Sequence, residues 1–352
     1  MLTDATLQQI LGRLPELTIG VVGDLFLDRY LEIAAELSEP SLETGLDAYQ
    51  VTRVRSHAGA AGTVINNLAA LGINRVVAFA VLGDDGEGHE LRQAVADLRV
   101  VDSRCLFSVT DRSFRTPTYT KPMFHEKGRP PRELNRLDIK NRTPLPEIAE
   151  GQILQALAER WKSLDALVVL DQVSEANCGV LTERVRQRIA QLGKAEPEKL
   201  ILADSRARIG LFDYVSLKPN RSECLKAAGF SETNPQEIPA AALRLARQAQ
   251  RPVFCTAGEQ GTVLALPDSE TQEPLHIPAY PVRGPIDIVG AGDSTSAGIA
   301  CAVAAGAGLA EAAAFGNLIA SITIQQIGTT GTASPEQVRQ RWSEVCSAWK
   351  PA

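Results

Sequence analysis

Apolar runs rich in valine and isoleucine alternate with helical patterns along most of this chain of 352 residues. The first apolar run is Thr18–Gly23, and five similar runs follow it, over 75–81, 166–170, 199–203, 214–217 and 252–256. Helical patterns separate them, over 61–71, 87–98, 147–161, 177–192, 220–228, 239–249 and from Gly292 onward. Strands that are apolar on both faces need cover on both, and alternating helices provide it. The sequence therefore predicts an α/β fold, with a mostly parallel central sheet and helices on both faces.

Two segments, about 29–56 and 114–138, break this alternation. Both carry short β-like patterns, such as those over 50–55 and 116–121. Because they lie between α/β units, they predict a small β-sheet that projects as a lid over an active site. Surface hairpins without a function are the alternative. We expect one domain over 1–352 that includes these lid segments, rather than two independent domains.

Charge and cysteine usage limit the classes of function. The 36 Lys and Arg residues against 42 Asp and Glu give a net charge of −6, which argues against binding to nucleic acid or an anionic membrane. The six cysteines are scattered without a C-x-x-C pair, as is typical of a reducing compartment. Residues 1–17 show no secretory signal, and the Ala- and Gly-rich stretch 297–324 is too weakly hydrophobic to span a bilayer. We expect a soluble, cytoplasmic protein.

The segment Asp287–Gly298 carries the strongest chemical pattern. The small residues Gly290, Ala291 and Gly292 precede an apolar helical stretch, so unpaired amides at the helix start can close on a phosphate. Asp293 then lies in the first helical turn, where a carboxylate can take the proton of a hydroxyl that attacks a phosphoryl group. A plain helix start, with Asp favoured there by the dipole, is the alternative. The segment matches neither a dinucleotide fingerprint nor a Walker P-loop.

The same segment resembles the C-terminal signature of the ribokinase-like (PfkB) carbohydrate kinases, D-T-x-G-A-G-D-x-x-x-A-G. Five further elements of that family occur in the family's order, at Gly23-Asp24, Gly59–Gly62, Gly83–Gly88, Lys218–Glu223 and Thr256–Gly261. The resemblance covers nearly the whole chain. It implies a ribokinase-like fold and transfer of a phosphoryl group from ATP, with Mg²⁺, to a hydroxyl of a small-molecule sugar or sugar phosphate.

Within the family, the run Gly23–Tyr30 and the triplet Arg136–Asp138 are most similar to the heptose-7-phosphate kinases of the ADP-heptose pathway. Bifunctional members of that subgroup carry a nucleotidyltransferase domain after the kinase. Because this chain ends soon after the kinase signature, we expect it to lack the second activity. The alternatives are a ribose, fructose, nucleoside or keto-deoxy-sugar kinase of the same family, or a non-catalytic homologue that binds a sugar or nucleotide.

The resemblance implies roles at matching positions. Asp293 would be the general base, and the amides of Gly290, Ala291 and Gly292 would form the anion hole. The implied substrate-binding residues are Asp24, Gly59, Ala60, Thr63 and Arg136. The implied ATP-binding residues are Asn220, Glu223, Thr256, Gly258, Gly261 and Asn317. Glu223 would hold Mg²⁺ through water, although Asn220 and Glu223 also match a helix N-cap with a capping-box Glu. Asp287 and Val289, with Gly328, would contribute to a monovalent-cation site for K⁺.

The first family signature, G-G-x-x-x-N, is altered in this chain. Ala60 replaces the second Gly, which narrows the pocket, and Thr63 replaces an Asn that offers both a donor and an acceptor. Asn66 or Asn67 could compensate. A phosphorylated sugar would need a basic partner, and the candidates, each also compatible with a solvated surface charge, are Arg53, Arg55, Arg115, Lys121 and Arg136. Because lid strands of this family often pair between subunits, we expect a homodimer.

Overall fold

The computed structural model describes residues 2–268, 273–328 and 330–348. The helices in these ranges are α1 Asp4–Arg13, α2 Ala61–Ala70, α3 Gly86–Ala96, α4 Glu147–Arg160, α5 Glu183–Ala195, α6 Arg221–Ala227, α7 Ile238–Ala249, α8 Ala291–Ala304, α9 Leu309–Thr323 and α10 Pro335–Ala348. The strands are β1 Thr18–Gly23, β2 Leu25–Pro40, β3 Asp47–Ala60, β4 Arg75–Gly83, β5 Val101–Asp102, β6 Leu106–Val109, β7 Thr118–His125, β8 Arg132–Glu133, β9 Leu137–Ile139, β10 Ala166–Asp171, β11 Leu200–Ser205, β12 Ser216–Leu217, β13 Val253–Thr256, β14 Thr262–Ala265 and β15 Leu275–Ile277.

The main sheet has the strand order β15-β14-β13-β12-β11-β10-β1-β4-β5, with β6 also paired to β4. Its pairs are parallel except at one edge, where β14 and β15 run antiparallel to their neighbours. One apolar core lies between the sheet and helices α1, α2, α3, α8, α9 and α10, and a second lies between the other face and α4–α7. The predicted α/β fold with helices on both faces is confirmed.

The strand order of the main sheet reverses direction between β1 and β10. From β1 the chain first builds β4 and β5 on one side and then returns to add β10 and β11 on the other. At such a point, loops from the carboxyl ends of neighbouring strands separate and leave a crevice in which α/β proteins bind ligands. Asp24 follows β1 and Asp171 ends β10, so two carboxylates lie at this crevice.

A small sheet contains both segments that interrupt the alternation in the sequence. Its order is β3-β2-β7-β8, with β9 paired to β7. Strand β2 is antiparallel to β3 and parallel to β7, so the long β2–β3 hairpin forms most of this sheet. Arg29 of β2 forms ion pairs with Glu87 and Glu90 of α3, which attach the base of the small sheet to the main body.

Two local predictions differ from the structure. The helix predicted over 177–192 begins only at Glu183, because the Thr182 hydroxyl accepts a hydrogen bond from the Val185 amide at 3.2 Å and caps it. The strand predicted over 214–217 is confined to Ser216–Leu217, since Tyr214 has a φ of 57°. Helix α1 and strands β5, β6, β14 and β15 were not predicted. Within the described ranges, no helix is long and apolar enough to cross a membrane.

Candidate active site

Helix α8 begins in the Gly-rich segment, as the sequence predicts. Gly290 precedes it with a φ of 81°, in the left-handed region that strains a residue with a side chain. A Cβ atom at Gly290 would also come within 3.3 Å of Thr63 Cγ2. The Ala291 amide donates to the carbonyl of Ile288 at 3.1 Å, whereas the amides of Gly290 and Gly292 have no acceptor within the helix, and the helix dipole adds positive potential. Gly290, Ala291 and Gly292 thus present bare backbone at the start of α8.

Asp293 lies in the first turn of α8 and is partly buried. The pKa of Asp293 is raised to about 7, chiefly by burial and also by the charge of Asp204, against the opposing charges of Lys218 and Arg206. A carboxyl group with a pKa near neutrality is well matched to accept a proton at physiological pH. The carboxylate and the bare amides therefore belong to one site.

Lys218 also belongs to this site, although sequence reasoning gave it no role. The residue is only 2% exposed. Its Nζ atom lies 2.8 Å from Asp204 Oδ2, and a Cβ atom at Gly292 would be 3.5 Å from Nζ. Burial lowers the pKa of Lys218, but the nearby carboxylates, chiefly Asp204, outweigh it and the pKa is raised, so the ammonium stays charged. The sequence shows a lysine before Pro219, but it does not show that the lysine is buried.

The predicted nucleotide-binding residues Asn220, Glu223 and Thr256 come together beside Lys218. Asn220 and Glu223 form a capping box, in which the Glu223 amide donates to Asn220 Oδ1 at 2.9 Å and the Asn220 amide donates to Glu223 Oε2 at 2.8 Å. Thr256 forms a parallel bridge with Asn220. Burial raises the pKa of Glu223, and the charge of Lys218 is among the opposing influences. The capping interpretation is therefore confirmed, and it leaves the carboxylate near the centre of the site.

Gly258 begins a short 3₁₀ turn shortly after Thr256, and Gly261 follows the end of this turn. Asn317 of α9 is buried and fully engaged with neighbouring groups. Its Oδ1 accepts a hydrogen bond from Thr262 Oγ1 at 2.8 Å, and its Nδ2 donates to the carbonyl of Ile277 at 3.2 Å. Asn317 therefore joins β14 to β15 behind the Gly258–Gly261 turn.

The Asp24 side chain is 3% exposed and accepts hydrogen bonds from three backbone amides. Asp24 Oδ2 accepts from Gln172 at 2.9 Å and from Val173 at 3.1 Å, and Oδ1 accepts from Val180 at 2.7 Å. The pKa of Asp24 is raised to about 6, chiefly by burial and also by the charge of Asp171, although the three amide hydrogen bonds oppose the shift. Asp24 thus ties the loop after β10 to the end of β1.

Asp28, four residues further along β2, has a different environment. A Cβ atom at Gly59 would lie 2.5 Å from Asp28 Oδ2, so the absence of a side chain at Gly59 permits this close approach. Lys121 Nζ lies 3.5 Å from Asp28 Oδ1 and donates a hydrogen bond to Tyr30 Oη at 3.1 Å. Burial raises the pKa of Asp28, while the charges of Lys121 and Arg136 oppose it. Asp28 was not among the predicted substrate-binding residues, although it lies with Asp24 in the run Gly23–Tyr30 that resembles the heptose-7-phosphate kinases.

The other predicted substrate-binding residues lie around Asp28 and the start of α2. Ala60 has φ 53° and ψ −119°, a conformation that residues with a side chain rarely adopt. Thr63 is buried in the first turn of α2, and its methyl group faces Gly290 of the bare backbone. Arg136 forms a two-point ion pair with Asp138, at 2.6 and 2.9 Å, so its charge is already partly neutralised.

The predicted cation-site residues also lie together. Asp287 Oδ1 accepts a hydrogen bond from the Val289 amide and Oδ2 accepts one from the Gly328 amide, each at 3.1 Å. Both carboxylate oxygens therefore already have a partner. Among the residues that the structure describes, no group of three or more His, Cys, Asp or Glu side chains is arranged to hold a metal ion.

Curated relatives cover almost the whole of this chain. Bifunctional protein HldE of Bradyrhizobium sp. (strain ORS 278) is 30% identical over 325 residues, which are 92% of this chain and 63% of the relative. Bifunctional protein HldE of Caulobacter vibrioides is 31% identical over 323 residues, which are 91% of this chain and 62% of the relative. The chain thus spans less than two thirds of the length of these relatives.

Solved structures share the fold at low identity. Arabidopsis thaliana ribokinase complexed with ribose and ATP has a TM-score of 0.66 at 17% identity, over 92% of this chain and 98% of that chain. Phosphofructokinase-2 from Escherichia coli in complex with potassium has a TM-score of 0.67 at 17% identity, over 94% and 99%. These similarities confirm the predicted ribokinase-like fold. The family described as pfkB family carbohydrate kinase matches residues 145–337, more than half of the chain. The resemblance seen in the sequence is therefore confirmed, and the chain belongs to the pfkB family of carbohydrate kinases.

Proposed function

We propose that this protein transfers the γ-phosphoryl group of ATP to a hydroxyl of a phosphorylated sugar, with heptose 7-phosphate as the first acceptor to test. One observation carries the proposal. Asp293, with a pKa of about 7, lies in the first turn of α8 directly after the bare backbone of Gly290–Gly292. A proton acceptor beside amide donors that have no acceptor within the helix is what phosphoryl transfer to an alcohol requires.

In this reaction, Asp293 accepts the proton of the sugar hydroxyl. The hydroxyl oxygen forms a bond to the γ-phosphorus while the bond between that phosphorus and the bridging oxygen of ADP breaks. The amides of Gly290 and Gly292 donate to the oxygens of the group in transfer, whereas the Ala291 amide already donates to the Ile288 carbonyl. Because these amides are fixed by the helix start, they need no reorganisation as the charge develops.

ATP and Mg²⁺ are proposed to bind beside Asn220, Glu223 and Thr256. The donor set suits Mg²⁺, which keeps several waters and takes one or two carboxylates together with phosphate oxygens. Glu223 already accepts one hydrogen bond from its own N-cap, so it would hold the ion through water. When bound, the ion would neutralise charge on the phosphates.

The acceptor is proposed to bind between Thr63 and Asp28. Thr63 contacts the start of α8, and Asp28 offers a carboxylate to sugar hydroxyls, whereas the Asp24 carboxylate already holds three amides. Lys121 and Arg136, whose charges reach Asp28, support an acceptor that carries a phosphate. The choice of a heptose as the acceptor is based on the similarity of the run Gly23–Tyr30 to heptose-7-phosphate kinases and on the relatives named HldE.

We propose further that the small sheet acts as a lid within a single kinase domain. Strands β2 and β3 carry Asp28 and Gly59, so movement of this sheet would close the acceptor site and exclude water as a competing acceptor. K⁺ is a proposed activator at the loop that carries Asp287, since the similar phosphofructokinase-2 from Escherichia coli was solved in complex with potassium. Activity in KCl compared with choline chloride would test this.

The decisive experiment measures ADP release with ATP, Mg²⁺ and a panel of free and phosphorylated sugars that includes heptose 7-phosphate. The isosteric variant Asp293→Asn is expected to lower kcat by about 10²–10⁴, the range for loss of a general base. Asp97→Asn, the same change at an exposed position after α3, is the control and should match wild type. Near-normal turnover of Asp293→Asn, or no ADP release with any acceptor, would contradict the proposal.

A further inference from the structure

We propose that Lys218 is a catalytic residue whose ammonium group contacts the phosphoryl group during transfer. The inference rests on the proposed function, because it needs a phosphoryl group at the start of α8. Lys218 is not in the helix that carries the anion hole. It follows β12, at the carboxyl end of the main sheet, and reaches α8 from the sheet side.

The position of the ammonium group is the first argument. Nζ would lie 3.5 Å from a Cβ atom at Gly292, so it borders the start of α8, where the Gly290 and Gly292 amides have no acceptor within the helix. An ammonium group has three N–H donors, and the ion pair with Asp204 at 2.8 Å needs one of them. A side chain larger than glycine at 292 would separate Lys218 from any anion at the helix start. Gly292 therefore opens the path between the cation and that anion.

The distribution of charge is the second argument. Lys218 is buried among three carboxylates, of Asp204, Glu223 and Asp293. Asp204 alone would suffice for an ion pair. The charges of Asp293, the proposed base, and of Glu223, the proposed Mg²⁺ residue, also act on Lys218. An incoming phosphoryl group would add more negative charge here. A buried cation at this point lowers the cost of bringing that group close to Asp293, because electrostatic interactions are strong where water is excluded.

The proposed step adds no new reactant. As the acceptor oxygen bonds to phosphorus and the bond to ADP breaks, negative charge spreads over the three remaining oxygens of the phosphoryl group. Lys218 donates a hydrogen bond to one of these oxygens and keeps its proton throughout. Asp293 alone receives the proton of the acceptor.

A purely structural role is the competing explanation, in which Lys218 serves only to neutralise buried Asp204. Three variants separate the two roles: Lys218→Met, Asp204→Asn and the double variant. Lys218→Met alone leaves a buried carboxylate without its partner and is expected to lower the melting temperature. The double variant removes both charges at similar side-chain volume and is expected to recover most of that loss.

The kinetic readout is kcat, measured on the plateau above pH 8 so that changes in the pKa of Asp293 have no effect. Loss of one donor to the transition state is expected to lower kcat of the double variant by about 10²–10³, whereas Asp204→Asn, which keeps Lys218, stays within about 10-fold of wild type. KM for ATP should change little in both. Calorimetric titration with ADP checks that the nucleotide site is intact.

The outcomes distinguish this inference from the proposed function. If wild type releases no ADP with any acceptor, the proposed function fails. If wild type is active and the stable double variant keeps kcat close to that of Asp204→Asn, Lys218 is structural and the inference fails while the proposed function stands. A double variant that unfolds like Lys218→Met, although both charges are gone, would show that the packing of Lys218 is required and would also overturn the inference.

Discussion

Two aspartates four residues apart, Asp24 and Asp28, have opposite environments. The Asp24 carboxylate is buried and accepts three backbone amides from the loop after β10. The Asp28 carboxylate is only partly buried and faces Gly59 and Lys121. A carboxylate that holds backbone amides stabilises the fold, whereas one with a free approach can bind a ligand. We therefore propose that Asp24 holds the loop after β10 and that Asp28 binds the acceptor.

Paired variants test this assignment. Asp24→Asn places an amide group where only acceptors fit, and we expect the free energy of unfolding to fall by about 2 kcal/mol, since hydrogen bonds to charged groups contribute about 1.5–3 kcal/mol. Asp28→Asn is expected to change stability by less than about 1 kcal/mol and to raise KM for the sugar at least about 10-fold. Urea denaturation and steady-state kinetics measure both. The assignment is wrong if Asp28→Asn is the more destabilising of the two.

The pKa of Asp293 predicts how activity depends on pH. A general base must be deprotonated, so kcat/KM should fall as the pH drops below about 7 and reach a plateau above it. Arg206 is exposed, and its charge lowers the pKa of Asp293. Arg206→Gln should therefore move the acidic limb to higher pH without affecting folding, while Arg206→Lys keeps the charge and should leave the limb in place. If the acidic limb of the pH profile stays at the same pH in Arg206→Gln, a group other than Asp293 controls it.

At the scale of single elements, the capping box of α6 combines two roles in one side chain. Glu223 accepts the amide of Asn220, which stabilises the helix start, and it is the proposed ligand of hydrated Mg²⁺. A glutamine at this position keeps the capping box but loses the charge. The two roles can therefore be separated by one substitution.

Glu223→Gln is expected to leave the melting temperature almost unchanged and to raise the Mg²⁺ concentration needed for half-maximal activity about 10-fold or more, the usual effect of losing an outer-sphere partner. Glu223→Ala, which also breaks the capping box, should in addition lose about 1 kcal/mol of stability. A Mg²⁺ titration of activity and thermal unfolding give the two readouts. An unchanged Mg²⁺ requirement in Glu223→Gln would leave Glu223 as a cap only.

The start of a helix was predictable where the local sequence carries a clear signal for it. Gly290–Gly292 before an apolar stretch indicated the start of α8, and Asn220 with Glu223 indicated that of α6. The late start of α5 was missed although Thr182 marks it locally, and the loop before it is also held by Asp24, which is distant in sequence. The burial of Lys218 was hidden, since a lysine is most often exposed and only tertiary packing places it beside Asp204.

At the scale of the whole molecule, the candidate site is assembled from distant segments. Asp28 and Thr63 come from the first fifth of the chain, Lys218 and Glu223 from the middle, and Asp293 from the start of α8. The parallel sheet brings them together because the carboxyl ends of its strands meet at one edge. The small sheet borders this edge, and β3 is one of its edge strands.

Strand β3 carries an exposed apolar stripe that supports a dimer. Val51 pairs with Ile33 and Val54 with Leu31, and a bulge between these pairs compensates for the odd spacing. Because residues 31 and 33 lie on one face of β2, Val51 and Val54 share a face of the small sheet. They are 44% and 52% exposed, and β3 is an edge strand. An edge strand with an apolar face is a surface that tends to pair with another chain.

We predict a homodimer through β3, with a mass twice the 37.8 kDa of one chain. The double variant Val51→Lys/Val54→Lys places two charges in the stripe, and it should sediment as a monomer at micromolar concentration, because like charges across the two-fold axis repel. Gln50→Lys, on the other face of the same strand, is the control and should remain dimeric. Analytical ultracentrifugation measures all three proteins. A monomeric wild type would contradict the predicted dimer. A dimeric Val51→Lys/Val54→Lys variant would place the contact elsewhere, since an interface centred on this stripe cannot accommodate two buried ammonium groups without partners.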